Sequence, residues 1–188
     1  IQDSASAEEM LKRDIVNAIS DKLEATILGS AAGSATMPAG IFNGVTPETK
    51  DITYKRLVDM ETALEEANVA GNKCFIVSPS AKGILKTTAK DALYNVTDGG
   101  VHTCVGCAGC LMEENEVNGY PVYCTSNVTS KGVVMGHFED FVIGQWGGID
   151  LTVDPYTQAA NGKVRLVINA YFDAKPRRTG SFQKAILK

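Results

Sequence analysis

The chain has 188 residues, of which 44% are hydrophobic and 21% charged, and its formal net charge is −4 at pH 7. This composition is typical of a folded globular protein and excludes a disordered chain, a fibrous chain and a small disulfide scaffold. The acidic balance argues against a dedicated nucleic-acid-binding domain. No apolar run approaches the roughly 20 residues that a membrane-spanning helix needs.

The ends of the chain differ in character. The sequence begins at Ile1 rather than Met, without a basic segment leading into an apolar run. We therefore expect a fragment or a processed chain without a signal peptide, with an upstream region missing.

After Gly162 there are seven basic residues and one acidic residue. This basic stretch indicates either a polar interface between copies of the chain or ordinary solvated strand ends.

A long helix is predicted from Ser6 to Leu28. Ser6 and Glu9 form a capping box, apolar residues recur every four positions, and Gly29 ends the segment. Because a spacing of four drifts around an ideal helix, we expect the apolar stripe to contact several neighbours. The Gly-rich stretch that follows, residues 29–44, predicts a flexible connection at a subdomain boundary.

Two shorter helices and one strand are predicted next. Helical periodicity covers residues 53–67. The apolar run 74–77 predicts a buried strand. Ser78 and Pro79 then supply an N-cap and a first-turn proline for a helix that reaches about Lys90.

Strand patterns dominate the second half of the chain. They cover residues 122–124, 133–138, 142–146, 149–153, 164–172 and 182–187. Helices come early and strands late, without a regular alternation of the two. The predicted fold class is therefore α+β, and a doubly wound parallel sheet is disfavoured.

The sharpest chemical motif is a C-x-x-C-x-x-C run formed by Cys104, Cys107 and Cys110. Three thiolates at this spacing can converge on one metal or cluster, and Cys124 or His102 could complete the ligand set. A second C-x-x-C knuckle is lacking, and so is the βαβ context of a dithiol redox site. The alternative is a surface loop of reduced thiols, and we assign no metal and no cofactor.

Catalytic machinery is scarce in this sequence. Its two histidines are His102 and His137, and His137 falls in a strand pattern where a packed histidine is the ordinary case. Glu113, Glu114 and Glu116 crowd together beside asparagines, which predicts a solvated turn rather than a paired acid and base. No hydrolase, zinc-protease or calcium-loop motif is present. The sequence therefore does not predict an enzyme.

An ordered series of segments forms a pattern that composition and periodicity do not interpret. The segments are residues 27–29, 38–41, 59–67, 75–79, 118–122, 136–144 and 146–156. Together they resemble the major capsid proteins of tailed bacteriophages, the Hong Kong 97 type. The resemblance spans nearly the whole chain, but no pattern of the family covers the cysteine run.

The resemblance implies a capsid fold with two subdomains. A peripheral domain would consist of a spine helix within residues 1–33 and a long β-arm at residues 147–173. An axial domain, with a mixed sheet flanked by helices, would cover residues 34–146, and residues 174–188 would return to it as a C-terminal strand. The family's N-terminal arm and extended loop are not recognised here, so the chain resembles the C-terminal portion of a capsid protein.

The implied function is a structural subunit of a bacteriophage or prophage icosahedral capsid, made in the bacterial host cytoplasm and located in the virion. Its expected partners are copies of itself in hexamers and pentamers, the portal, scaffold and maturation protease, and non-specifically packaged double-stranded DNA; no membrane partner is expected. Some members form a Lys–Asn cross-link, and Asn161 lies near the corresponding turn, although the loop that would bring the lysine is missing.

Two alternatives stay open. One is a bacterial nanocompartment shell of the same fold, which encloses cargo proteins instead of DNA. The other is a metal- or cluster-binding module built on the cysteine run.

Overall fold

A computed structural model describes residues 5–90, 109–154, 156–162 and 165–188. Its helices and strands, in chain order, are α1 (Ala5–Ile27), α2 (Tyr54–Glu66), β1 (Cys74–Val77), α3 (Pro79–Thr87), β2 (Glu116–Val117), β3 (Tyr120–Cys124), β4 (Gly132–Gly136), β5 (Phe141–Asp154), β6 (Arg165–Pro176) and β7 (Phe182–Ile186). The α+β class is confirmed. None of the described helices is both long enough and apolar enough to cross a membrane.

The strands form two separate sheets. Five of them make one sheet in the order β2-β3-β1-β4-β7, in which β1 runs parallel to β3 and every other neighbouring pair is antiparallel. The remaining two, β5 and β6, pair antiparallel with each other, and the register shifts between Trp146 and Asp150. We call this two-stranded unit the ribbon.

Apolar side chains fill both faces of the five-stranded sheet. Neighbouring residues of a strand point to opposite faces, so Val133 and Val134 of β4 enter different clusters. The Val133 cluster includes the buried faces of α2 and α3, whereas the Val134 cluster includes Ile27 at the end of α1. Burying one such large side chain contributes about 1.5–3 kcal/mol to stability.

Side-chain caps define the starts of α2 and α3. The hydroxyl of Thr53 accepts a hydrogen bond from the Arg56 N–H at 3.3 Å, which confirms the helix predicted over residues 53–67. The hydroxyl of Ser78 accepts from the Ala81 N–H at 3.2 Å, with Pro79 in the first turn, as predicted. Caps of this kind contribute about 1 kcal/mol each.

The predicted end of α3 is too late by three residues. The helix stops at Thr87 rather than at about Lys90. Beyond it, the Lys90 N–H donates to Gly109 O at 3.0 Å and the Leu111 N–H donates to Thr88 O at 2.8 Å. This pairing between two segments of the chain replaces the hydrogen bonds that another helical turn would have made.

The Gly-rich stretch at 29–44 differs from its prediction as a flexible connection. Phe42 is fully buried and Ile41 nearly so, and both belong to the same cluster as the end of α1. The Phe42 N–H donates to Gly29 O at 3.0 Å, and Gly40 lies so close to Gly29 that a Cβ would collide with its carbonyl. Small residues allow this close backbone approach, so residues 40–42 are packed against the end of α1, whereas residues 30–36 are exposed.

The later strands confirm the sequence patterns with shifted ends. The segment predicted at 133–138 ends as a strand at Gly136, because a 3-10 turn begins at Phe138. The segments at 142–146 and 149–153 are one strand with an irregularity between them, where Gly147 has a φ of 73°. β2 was not predicted, because two residues are too few to show a period.

Candidate functional site

The N-terminal part of α1 exposes apolar side chains. The last turn of the helix is anchored in the core through Ile27, and Leu28 follows it there. Further towards the N-terminus, Met10 is 61% exposed and Val16 55% exposed. The helix is therefore held at one end, and much of its length is available for contacts outside this chain.

The ribbon has two faces that its register defines. On the inner face Leu151 lies opposite Ile168, and Val153 lies opposite Leu166. On the outer face Trp146 lies opposite Tyr171. Exposed apolar side chains occur on both faces and at the bulge: Val142, Ile143, Trp146, Ile149, Leu151, Val153 and Tyr171. A two-stranded unit with both faces open to water is marginally stable on its own.

An apolar groove of ≈ 690 Å³ separates α1 from the inner face of the ribbon. Ile15 and Ile19 line it from the helix, Met37 lines it from the connecting stretch, and Ile168 and Phe172 line it from β6. The helix and β6 are in contact beside this groove, which leaves part of both apolar surfaces open. Continuous apolar surface of this kind marks an interaction site more often than a solvated surface of a monomer.

The base of the ribbon is fixed to the five-stranded sheet by polar and aromatic contacts. The buried Ser181 hydroxyl donates to Asp140 Oδ2 at 2.5 Å, and the Arg177 N–H donates to Asp140 O at 2.7 Å. Phe138 and Phe141 both pack edge-on against Phe182 of β7. Asp140 thus holds the start of β5 and the chain beyond β6 together.

The tip of the ribbon is a turn organised by one carboxylate. Asp154 accepts hydrogen bonds from the Thr157 hydroxyl, from the Thr157 N–H at 3.1 Å and from the Tyr156 N–H at 2.9 Å. These bonds, led by the one from the Thr157 hydroxyl, hold the pKa of Asp154 below its ordinary value. Asn161 lies in the 3-10 turn Ala159–Asn161, and its amide donates to Gln158 Oε1 at 3.0 Å.

The cysteine motif is only partly within the described residues. Cys104 and Cys107 lie outside them, as does His102. Cys110 is disulfide-bonded, so the expectation of reduced thiols is wrong for this residue, whose sulfur is not free to bind a metal as a thiolate. Cys124 is a free, exposed thiol at the end of β3. The part of the chain that the structure describes holds no group of three or more candidate metal ligands.

His137 and the glutamate turn are structural features. His137 follows β4 rather than lying within it, and its Nδ1 is 2.8 Å from Asn72 O. Its side chain is packed, and Nε2 lies 3.6 Å from Glu139 Oε2. Glu114 and Asn115 adopt φ values of 45° and 65°, which confirms the predicted solvated turn. Neither feature brings a nucleophile and a base together.

The fold is that of the Hong Kong 97-type capsid proteins: a mixed sheet flanked by helices, a long helix anchored at one end, and a long two-stranded ribbon. The phage capsid family matches residues 1–185. The chain belongs to the phage capsid family. The resemblance noted in the sequence is therefore confirmed, and the family implies a structural rather than an enzymatic role.

Individual relatives agree with this assignment. The chain is 27% identical over 190 residues to a major capsid protein of Halomonas phage phiHAP-1, and the match covers 98% of this chain but 29% of that relative's length. The chain is also similar to the capsid protein of an empty GTA particle, with a TM-score of 0.66 and 18% identity. That match covers 100% of this chain and 68% of the GTA chain. A third similar structure is the SrpI encapsulin of Synechococcus elongatus PCC 7942, with a TM-score of 0.56 and 12% identity. The match covers 93% of this chain and 63% of the encapsulin chain.

Sequence reasoning missed the most informative part of the site. The apolar residues of the ribbon were predicted as strands, but their exposure on both faces arises because no other layer of the described residues covers those side chains. Which elements pack against a strand is a long-range property. The sequence carried one signal for the shape of the ribbon. Its strand pattern is interrupted after Trp146, and two runs separated in this way predict a bulge within one long strand.

Proposed function

We propose that this chain is a structural subunit of a bacteriophage or prophage icosahedral capsid, which assembles with copies of itself into hexamers and pentamers. The observation that carries the proposal is the ribbon: a member of the phage capsid family exposes apolar side chains on both faces of a two-stranded unit that is fixed to the rest of its described chain mainly at its base. Burial of such surface is the main favourable term in protein association.

The proposal includes a division of the chain into subdomains. Residues 34–146 would form the axial domain and residues 174–188 would supply its C-terminal strand, which is supported by the pairing of β7 with β4. Residues 1–33 and 147–173 would form the peripheral domain, which is supported by the groove that α1 shares with the ribbon. Exposed apolar side chains occur on both peripheral elements, among them Val16 of α1 and Leu151 of β5.

The proposed contents and partners of the shell are double-stranded DNA, held without sequence recognition, and a portal, a scaffold and a maturation protease. The net charge of −4 supports loose rather than tight contact with DNA, because tight binding requires many basic groups on phosphates. The virion would be the site of action, and the bacterial host cytoplasm the site of synthesis.

The proposal is tested by following assembly of the 188-residue chain with sedimentation velocity and negative-stain electron microscopy over a wide range of concentrations. We expect rings or closed shells. The double variant Leu151→Ser, Val153→Ser should reduce assembly at least tenfold, because it places hydroxyls on the inner face of the ribbon.

A matched control carries Tyr123→Ser, which removes an equally exposed apolar side chain from β3 instead of the ribbon. This control should assemble like the unaltered chain. A chain that stays monomeric at every concentration contradicts the proposal. So does a double variant that assembles as well as the control.

A nanocompartment shell is the second candidate, because the fold is shared with an encapsulin. Particles purified from a bacterial host separate the two: a phage capsid should contain nuclease-protected DNA, and a nanocompartment should contain a cargo protein instead. A metal-binding module predicts roughly one metal ion per chain and loss of folding with a chelator. We expect no change in the unfolding midpoint with chelator.

A further inference from the structure

The outer face of the ribbon carries two exposed aromatic side chains at paired positions. Trp146 and Tyr171 lie opposite each other in the register and are 60% and 63% exposed. The indole lies over Gly144, where a Cβ would come within 2.9 Å of the ring. Glycine therefore makes room for the ring to lie along the strand. Trp and Tyr are enriched among the residues that contribute most to binding at protein interfaces.

Two carboxylates flank this aromatic pair on the same face. Alternation along β6 places Asn169, Tyr171, Asp173 and the exposed Lys175 on one side of the ribbon, and Asp150, which pairs with Asn169, lies on the same side. Asp150 and Asp173 are both exposed, and neither forms an ion pair with another described residue. An aromatic face between carboxylates binds a guanidinium well, because the cation can stack on the ring and pair with the acids.

The chain itself supplies guanidinium groups of the right kind. Arg177 and Arg178 follow β6 directly, both are exposed, and neither has an ion-pair partner among the described residues. They cannot reach the aromatic pair of their own copy. Tyr171 and Arg177 are six positions apart in the sequence, which at about 3.3 Å per residue is roughly 20 Å of extended chain. That span is longer than an arginine side chain.

We propose that the outer face of the ribbon is a contact between two copies, in which Arg177 and Arg178 of each copy bind the Trp146–Tyr171 pair and its carboxylates on the other. The aromatic pair lies on the ribbon, and the arginines follow directly at its base. Two ribbons laid antiparallel about a twofold axis would therefore make the contact twice, as an isologous interface does. This inference rests on the proposed self-association and names one surface that takes part in it.

Trp146 is the only tryptophan of the chain, so its fluorescence reports on this surface directly. We expect association to shift the emission to shorter wavelength and to reduce quenching by acrylamide at least twofold, because the partner copy covers the indole. Raising the NaCl concentration should reverse both changes, since the contact includes exposed charges. Sedimentation velocity on the same samples measures association independently of the fluorescence.

Charge reversal tests the pairing itself. Arg177→Glu with Arg178→Glu should weaken association roughly tenfold and return the fluorescence to that of the monomer. Asp150→Lys with Asp173→Lys should do the same. The chain that carries all four substitutions should regain association, because the charges then match again.

The matched control reverses charges elsewhere, with Glu66→Lys and Lys86→Glu on α2 and α3, and should associate normally. Association of the unaltered chain without a change in Trp146 fluorescence contradicts this contact and leaves the proposed function intact. The contact is also contradicted if the chain with all four substitutions associates no better than the two double variants. A chain that never associates contradicts both proposals.

Discussion

The five-stranded sheet and the ribbon are made from similar residues and have opposite relations to water. In the sheet, β4 is buried along its whole length between two apolar clusters. In the ribbon, β5 is exposed along most of its length, although it contains Val, Ile, Leu and Trp. The difference lies in covering elements: helices and loops cover both faces of the sheet, whereas the ribbon meets α1 across an open groove. A strand pattern therefore does not by itself indicate a core.

The largest expected difference between the two regions is in stability. Phe75 is fully buried in β1 and packs edge-on against Tyr120. Phe75→Ala should lower the free energy of unfolding by about 3–5 kcal/mol, since it opens a cavity in the core. Tyr171→Ala in the ribbon should change it by less than about 0.5 kcal/mol. Urea unfolding of the monomer measures both, and equal losses for the two variants would remove the distinction.

A second prediction concerns the junction between the two regions. Ser181→Ala removes the hydroxyl that donates to the Asp140 carboxylate, and Ser181 is fully buried. Because hydrogen bonds to charged groups contribute more than neutral ones, we expect a loss of about 1.5–3 kcal/mol in urea unfolding. The exposed hydroxyl of Thr179, in the same 3-10 turn, provides the control, and Thr179→Ala should be nearly neutral.

A third prediction tests a local feature of the sheet region. Ser78→Ala removes the cap of α3 and should lower the free energy of unfolding by about 1 kcal/mol. Ser78→Asp keeps an oxygen acceptor at the N-cap and should recover most of this loss. If Ser78→Ala and Ser78→Asp unfold at the same urea concentration, the cap does not determine where α3 begins.

The smallest expected effect is at the tip of the ribbon and depends on pH. The lowered pKa of Asp154 means that its carboxylate form stabilises the turn. That contribution is fully present above the ordinary pKa of 3.8 and is lost as pH falls through the lowered value. Asp154→Asn should speed hydrogen exchange of the Tyr156 and Thr157 amides a few-fold at neutral pH. Unchanged exchange rates in this variant would show that the charge has no role in the turn.

Local signals in the sequence predicted the elements well. Ser78 with Pro79 marked the start of α3, and a helix was predicted where α1 lies, although Ser6, the predicted N-cap, falls inside the helix that begins at Ala5. These features succeed because a cap or a proline acts on hydrogen bonds within its own turn. The resemblance to phage capsid proteins also came from ordered local segments, and it was confirmed by the family match.

Long-range features could not be predicted in the same way. The burial of Phe42 depends on contacts with Ile27 and Val134, far away in the sequence. The exposure of the ribbon depends on which elements pack against its faces, and a strand pattern is the same whether its faces are covered by this chain or by another. The Cys110 disulfide was missed for a related reason, because spacing alone does not separate metal ligands from bonded cysteines.

Hydrogen–deuterium exchange of the dilute and the associated chain tests whether contacts between copies stabilise the ribbon. We expect amides of β1 and β4 to be protected in both states, whereas amides of β5 and β6 should gain protection only on association. Ribbon amides that exchange equally fast in the associated state would contradict the claim.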